Sequence, residues 1–183
     1  MHQIYRTALQ EASRRERYPN AILEIGCGRG AFAAALAMQF PNARVTALDP
    51  SERAITKAQG RFVQHTNIQF VEGFAEQLPV PDNSVDLAFA NLSFHHWEDK
   101  QKGLGEVARV LKPGGLFILN DPLAEGLLKN NFIRSLAQLM DGGVFSSPEN
   151  LCAMLELAGL SLDKIQPAPG GAKTIYQLVA TKK

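Results

Sequence analysis

The sequence predicts an α/β protein with a doubly wound, mostly parallel sheet, and three observations predict it. Short apolar runs alternate along the chain with amphipathic stretches. The runs are almost continuously hydrophobic, as expected of strands covered on both faces. Each has strand length and is bounded by Gly, Pro, Asn or Asp. Such alternation implies strands joined by right-handed helical crossovers.

Taken in order, roughly Met1–Arg17 forms a first helix with Ile4, Ala8 and Leu9 on one side, which either covers a site or caps the sheet. The strand runs are Ala21–Ile25, Arg44–Leu48, Asn67–Val71, Val85–Ala90 and Leu116–Asn120. Between the first two, Phe32, Leu36 and Phe40 recur every fourth residue. Ala54, Ile55, Ala58 and Phe62 line one side of the next helix, with Ser51 as its N-cap. Leu104, Val107, Ala108 and Leu111 give an i, i+3, i+4, i+7 face that ends at Lys112-Pro113-Gly114-Gly115. After Asp121 the pattern changes. Ile133, Leu136, Ala137 and Met140 suggest an inserted helix, and Ser147-Pro148 start another carrying Leu151, Met154, Leu155 and Ala158. Leu160–Gln166 and Thr174–Thr181 read as the last strands. No helical pattern separates them, so the Pro167–Gly171 turn predicts an antiparallel hairpin at the end of the sheet.

The 183 residues suit one domain. The expected organisation is a single domain over 1–183, with an N-terminal helical segment at 1–19 and an inserted helical cover at 122–146. A net charge of +1 argues against a dominant attraction to nucleic acid or acidic membranes. Cys27 and Cys152 make neither a metal framework nor a disulfide scaffold and read as ordinary thiols. The N-terminus has no apolar signal region, since Arg14, Arg15 and Arg17 lie in a polar stretch. No apolar run approaches the roughly 20 residues of a membrane helix. A cytoplasmic location is the expectation.

Glu24-Ile25-Gly26-Cys27-Gly28-Arg29-Gly30 follows the first strand and opens the first crossover helix. Gly26 and Gly28 let backbone pass close to a ligand, at the strand ends where open α/β sheets bind ligands. Gly26, Gly28 and Ala31 also satisfy a relaxed dinucleotide fingerprint. Glu24 argues for a different ligand: a carboxylate there is unwelcome beside a pyrophosphate and suits a cationic amino group. Asp49 ends the second strand, where an acid accepts bonds from ribose hydroxyls. It would serve a nicotinamide dinucleotide equally well, or cap the helix ahead of Ser51. Asn91 ends the fourth strand near the switch point of the sheet, as a site or a turn residue.

These segments resemble the class I S-adenosylmethionine-dependent methyltransferases, especially the small-molecule, type 11 branch that includes ubiquinone and menaquinone biosynthesis enzymes. The resemblance covers roughly Asn20 to Asp121. The glycine loop matches the family's first motif and Asp49 its ribose-binding acid. The run Glu72-Gly73-Phe74-Ala75-Glu76-Gln77-Leu78-Pro79 through Asp86 is similar to its third-strand loop and the start of its fourth strand. Phe94-His95-His96-Trp97 and Arg109-Val110-Leu111-Lys112-Pro113-Gly114-Gly115 match two further segments. The resemblance implies a Rossmann-like, seven-stranded fold and S-adenosylmethionine as cofactor, with S-adenosylhomocysteine as product and no metal. It implies that Glu24 and the Gly26 carbonyl region hold the methionine amino group, with Cys27 and Gly28 bordering the cofactor through their backbone. Asp49 would bind the ribose and Pro50 would lie against adenine. Phe74 and Ala75 would meet the adenine edge, and the backbone of Asn91 and Leu92 the methionine part. The family usually has Asp where Phe74 stands, so here no carboxylate accepts the adenine amine, and the ring either packs on adenine or turns into the core.

No catalytic residue is assigned. His95 and His96 are the candidates for a general base, since imidazole as a group titrates near neutral pH, or else they pack with Trp97 at the start of the following helix. The four histidines show no metal-ligand spacing, no Gly-x-Ser-x-Gly elbow appears, and Gly30-Ala31 does not end a phosphate loop. Asn91-Leu92-Ser93-Phe94 lacks the paired prolines of the methyltransferases that act on amino groups of bases or glutamine. Lys100, Lys102, Arg109 and Lys112 read as a solvated helix face, with no aromatic-basic platform for single strands. Leu127, Leu128, Phe132 and Phe145 lie in the expected cover, over a small, partly apolar acceptor or as core and oligomer contacts. The rival readings are a cofactor-binding module without catalysis and a nicotinamide-dependent oxidoreductase. The oxidoreductase lacks a Tyr-x-x-x-Lys pair after Tyr5, Tyr18 or Tyr176.

Overall fold

The computed structural model describes residues 3–16, 18–124, 130, 131, 135, 139, 143–169 and 174–183. Helix α1 (Gln3–Arg15) leads into β1 (Ala21–Ile25), α2 (Ala31–Gln39), β2 (Arg44–Asp49), α3 (Glu52–Arg61), β3 (Ile68–Glu72) and β4 (Val85–Asn91). A 3-10 turn (Phe94–His96), α4 (Lys100–Val110), β5 (Leu111–Pro122), α5 (Pro148–Leu157), β6 (Leu160–Pro167) and β7 (Ile175–Lys182) complete the order. The seven strands run β3-β2-β1-β4-β5-β7-β6 across one sheet. The first five are parallel. β7 runs antiparallel between β5 and β6, which is the hairpin expected from the missing last crossover. The residues that suggest the inserted helix, Ile133, Leu136, Ala137 and Met140, lie outside the described residues, as do Leu127, Leu128 and Phe132.

Both faces of the sheet are apolar because each strand alternates between two cores. Leu23, Ile25, Ala88, Ala90, Phe117 and Leu119 face a core shared with α4 and α5. Ile22, Leu87, Phe89, Leu116, Ile118 and Val179 face the other, closed by α1 and α2. Some boundaries differ from the sequence expectation. Phe40 and Phe62 are C-caps, just beyond α2 and α3. β5 begins at Leu111, but between Val85–Leu111 and Leu87–Leu116 the pairing slips. Lys112–Gly115 lie at that slip, where Pro113 has no N–H to give a ladder.

Three basic residues expected on a solvated face are structural anchors. Arg109 bonds both carboxylate oxygens of Glu106 at 2.6 and 2.7 Å, Asp82 at 2.6 Å and the Leu78 and Val80 carbonyls at 3.0 and 3.1 Å. It thereby pins the loop between β3 and β4. Lys100 donates to the His95 and Trp97 carbonyls. Lys112 pairs with Asp86, whose carboxylate also accepts the Asn20 and Ala21 N–H groups at 2.8 and 2.9 Å and so fixes where β1 begins.

Burial pushes the Asp86 carboxyl up, but the Lys112 ammonium and the two N–H groups outweigh it and hold the group below its ordinary value. A depressed carboxyl stabilises the fold above its unfolded-state range and loses that contribution as pH falls through its folded value. Asp86→Asn should therefore lower unfolding free energy by about 1–3 kcal/mol at neutral pH. The gap to the unmodified protein should close below about pH 4, as read by urea denaturation at both conditions.

Candidate functional site

The site begins where β1 ends. Gly26 has φ +78°, and a Cβ there would collide with the Ser93 side chain. Ser93 sits just past the end of β4 and donates its hydroxyl to the Ile25 carbonyl at 2.7 Å. The loop is tied to β2 as well. Gly26 and Cys27 N–H both donate to the Leu48 carbonyl, at 2.8 and 2.9 Å. Gly28 N–H donates to Asp49 Oδ2 at 2.8 Å, while Asp49 Oδ1 accepts Ser51 N–H at 3.0 Å. The cap of α3 is Ser51 itself, whose hydroxyl accepts Ala54 N–H; Asp49 braces the loop instead. Gly30, in contrast, answers to packing: a Cβ there would lie 2.7 Å from the Phe70 ring.

These ties shape a cavity of about 400 Å³ at the carboxyl ends of the parallel strands. Of the ten sequence-predicted site residues, Gly26, Gly28, Asp49, Pro50, Phe74, Ala75 and Leu92 line it together. Glu24, Cys27 and Asn91 do not; they are buried behind it. Phe74 is 55% exposed at the mouth, so its ring stands in the cavity and not in the core. Leu92 is a non-glycine residue at φ +55°, a conformation that costs about 1–2 kcal/mol. Its N–H, donated to the Asn120 carbonyl at 2.8 Å, holds it there. Asn91 is no turn residue: it is the last residue of β4, and its side chain accepts from Asn120 Nδ2 at 2.7 Å.

Glu24 is the electrostatic centre. It is 2% exposed, and its Oε2 has no hydrogen-bond partner. Burial, then the nearby Asp49 charge, push its carboxyl up to about 8 against a bond from the Ala33 N–H. Burial, with the same two acids, also pushes the Cys27 thiol far up, which keeps it protonated and unreactive.

The two histidines part company. His96 is exposed and lines the cavity. His95 is buried, with Nδ1 2.8 Å from Asp121 Oδ1. Asp121 Oδ2 accepts Phe94 N–H at 3.0 Å, so this pair bolts the turn after β4 to the end of β5. Burial pushes the Asp121 carboxyl up against those bonds. The turn is its own element; α4 starts later, at Lys100, with Asp99 accepting Lys102 N–H at 2.9 Å. Ser93, Trp97, Glu76 and Glu98 also line the cavity and were not singled out from sequence. Ser93 and Trp97 have a legible trace: Gly26 and Gly103 have no room for a Cβ against them. Asp121 had no local signal. Among the described residues no cluster of three His, Cys, Asp or Glu could hold a metal ion. Nor is any described helix long and apolar enough to cross a membrane.

A glycine loop after β1, an acid ending β2, and a cavity above a sheet whose reversed β7 lies between β5 and β6 define a Rossmann-like protein of the nucleoside-cofactor-binding class. Comparison with known proteins specifies it. A family profile described as methyltransferase domain matches residues 23–119. The chain belongs to that family, the type 11 branch of the class I S-adenosylmethionine-dependent methyltransferases. A demethylmenaquinone methyltransferase from Chlorobaculum tepidum is 38% identical over 108 residues, 59% of this chain and 43% of that protein. The chain thus spans less than half the length of that relative. One of the same description from Thermus thermophilus is 31% identical over 174 residues, 80% of this chain and 77% of the other. The crystal structure of the YcgJ protein of Bacillus subtilis superposes with a TM-score of 0.81 at 22% identity, over 97% of this chain and 99% of that one, a likeness of fold.

An acid raised to about 8 in the folded state gives up its proton first in the unfolded state. The stability of the ligand-free protein should therefore fall as pH rises from about 4.5 to about 8 and then level off. Thermal melts across that range should show the slope, and Glu24→Gln should flatten it.

Proposed function

We propose that this chain transfers a methyl group from S-adenosylmethionine to a small-molecule acceptor. The observation that carries the reading is the buried Glu24 carboxylate, with one oxygen unpartnered, behind a glycine loop braced by Asp49. A buried acid in that state is stabilised by a cation placed beside it, and the ammonium of an amino acid tail is such a cation. A diphosphate would bring Glu24 no such cation and would meet repulsion from Asp49. The donor set fits the cofactor: an acceptor for the amino group, Asp49 for the ribose, and an apolar mouth at Pro50 and Phe74 for the base.

In this reading Glu24 and the Gly26 carbonyl region hold the amino group, and the backbone of Cys27 and Gly28 borders the cofactor. Asp49 accepts the ribose hydroxyls. Pro50 and the Phe74 ring flank adenine, with the Ala75 N–H at its edge, and the Asn91–Leu92 backbone faces the methionine part. When bound, the cofactor supplies an activated methyl group on sulfur; the chain supplies alignment and exclusion of water. His96, exposed in the cavity, is the histidine placed to take a proton from an acceptor, while His95 holds the turn through Asp121.

The test is a thermal-shift series with S-adenosylmethionine, S-adenosylhomocysteine and NAD(H), followed by methyl-donor consumption over an acceptor library. Stabilisation by the two adenosyl ligands alone, with turnover, is expected. Stabilisation by NAD(H) instead would overturn the reading, and binding without turnover on any acceptor would favour a non-catalytic module. Phe74→Asp restores a charged hydrogen bond worth about 1.5–3 kcal/mol, offset in part by lost aromatic packing. Calorimetry should show cofactor binding roughly tenfold tighter in that variant; unchanged or weaker binding would remove the adenine role given to position 74.

A further inference from the structure

A second groove, of about 590 Å³, adjoins the cavity at the glycine loop and is bordered by Asp99, Gln101, Val144 and Met154. His96, Trp97 and Glu98 belong to both spaces. Trp97 is buried, its ring pressed where a Cβ on Gly103 of α4 would lie. Its backbone is extended, with φ −64° and ψ 132°. Successive side chains of extended backbone point opposite ways, so Glu98 turns outward where Trp97 turns in. His96 and Glu98 are both exposed. The two spaces thus meet at a pair of exposed side chains above one indole. A small molecule reaching into both would set its reacting atom at that pair and the rest of its body in the groove.

Charge at the junction is one-sided. Glu98 has no hydrogen-bond or ion-pair partner among the described residues. Asp49 and Glu76 line the cavity, and Asp99 lines the groove. Among the described residues, Lys100 is the one lysine or arginine bordering either space. Its ammonium is spent on the His95 and Trp97 carbonyls, at 3.4 and 3.1 Å. Neither space therefore offers a free lysine or arginine among the described residues to a carboxylate or phosphate, and the acids repel one. An ammonium is attracted by the same charges, and an uncharged acceptor gains nothing from them. The groove also presents apolar surface. Val144 is 60% exposed, and Met154 of α5 is half-buried, with a flexible thioether that adapts to the shape of a neighbour.

We infer that the methyl acceptor is an amine with an apolar substituent, its nitrogen held between His96 and Glu98 and its apolar part seated in the groove on Val144 and Met154. The inference rests on the methyltransferase reading. The step balances for a protonated amine. His96 accepts one N–H proton, the freed lone pair forms the bond to the methyl carbon, and the electron pair of the broken C–S bond stays on sulfur. Glu98 stays ionised throughout and faces the positive charge that the nitrogen carries before and after transfer.

The test is a magnetic-resonance titration of the full-length protein, labelled at its methionine methyl and histidine ring carbons. Benzylamine, benzyl alcohol and benzoate present a cation, a neutral group and an anion on one ring. Each is added with and without saturating S-adenosylhomocysteine. Benzylamine should shift the His96 and Met154 signals saturably and bind up to about fivefold tighter than benzyl alcohol, the span of a solvent-exposed ion pair. Benzoate should bind weakest. Glu98→Gln should at least halve the preference for benzylamine over benzyl alcohol. Val144→Lys, at an exposed position, should weaken benzylamine and favour benzoate. With S-adenosylhomocysteine bound, nuclear Overhauser contacts should join the benzylic protons to the methylene protons beside the cofactor sulfur. Benzoate or benzyl alcohol binding as well as benzylamine, or shifts that miss His96 and Met154, would overturn the amine site. Absence of those contacts in the ternary complex would overturn its role as the acceptor site. Failure of S-adenosylhomocysteine to bind would sink the methyltransferase reading, while the titrations without it still judge the amine site.

Discussion

The ends of β1 and β4 approach so closely that Gly26 lies against the Ser93 side chain, with the Ser93 hydroxyl bonded to the Ile25 carbonyl. The rest of the site depends on that contact. Any side chain at position 26 would drive the two strand ends apart and pull the loop off the Leu48 carbonyl and the Asp49 carboxylate. With the contact made, the loop is fixed to β2 on one side and β4 on the other. The cavity then has a rigid floor built from backbone, of the kind that positions a ligand without reorganisation.

Rigidity of the floor explains why an ionisable group can be stored behind it. Glu24 is removed from water by the same packing that places the loop, and its unpartnered oxygen costs the fold free energy. An unpaired buried group of this kind calls for an explanation, and the cofactor proposed above supplies one. Further along the α1 face of the sheet, Asn91, Asn120 and Gln177 replace the hydrophobic residues that fill the equivalent places one pleat earlier. Phe89, Ile118 and Val179 close the core; two residues further along β4 and β5, the strands become polar. The boundary between core and site is thus a single step of the pleat.

On the other face, the turn after β4 is held by buried polar bonds and not by burial alone. His95 and the Phe94 N–H both reach Asp121 at the end of β5. That arrangement assigns the two adjacent histidines opposite duties, one structural and one facing the cavity. It also ties the geometry of the cavity rim to β5, the strand that carries Asn120.

What the sequence determined by itself is whatever local chemistry enforces. Unbroken apolar runs gave the parallel strands, Ser51 and Ser147 marked helix starts that they do cap, and the absence of a crossover pattern after Leu160 foretold the reversed β7. The glycine spacing and Asp49 located the cavity, because tight backbone approach leaves its mark on residue type. Tertiary structure alone decided the rest. Arg109 and Lys112 look like solvated charges until the fold brings Asp82, Glu106 and Asp86 to them. Asp121 meets His95 across 26 residues, and Gln177 joins Asn120 only through strand register. Pairings of that kind depend on how distant segments stack in space, and no periodicity along the chain encodes them.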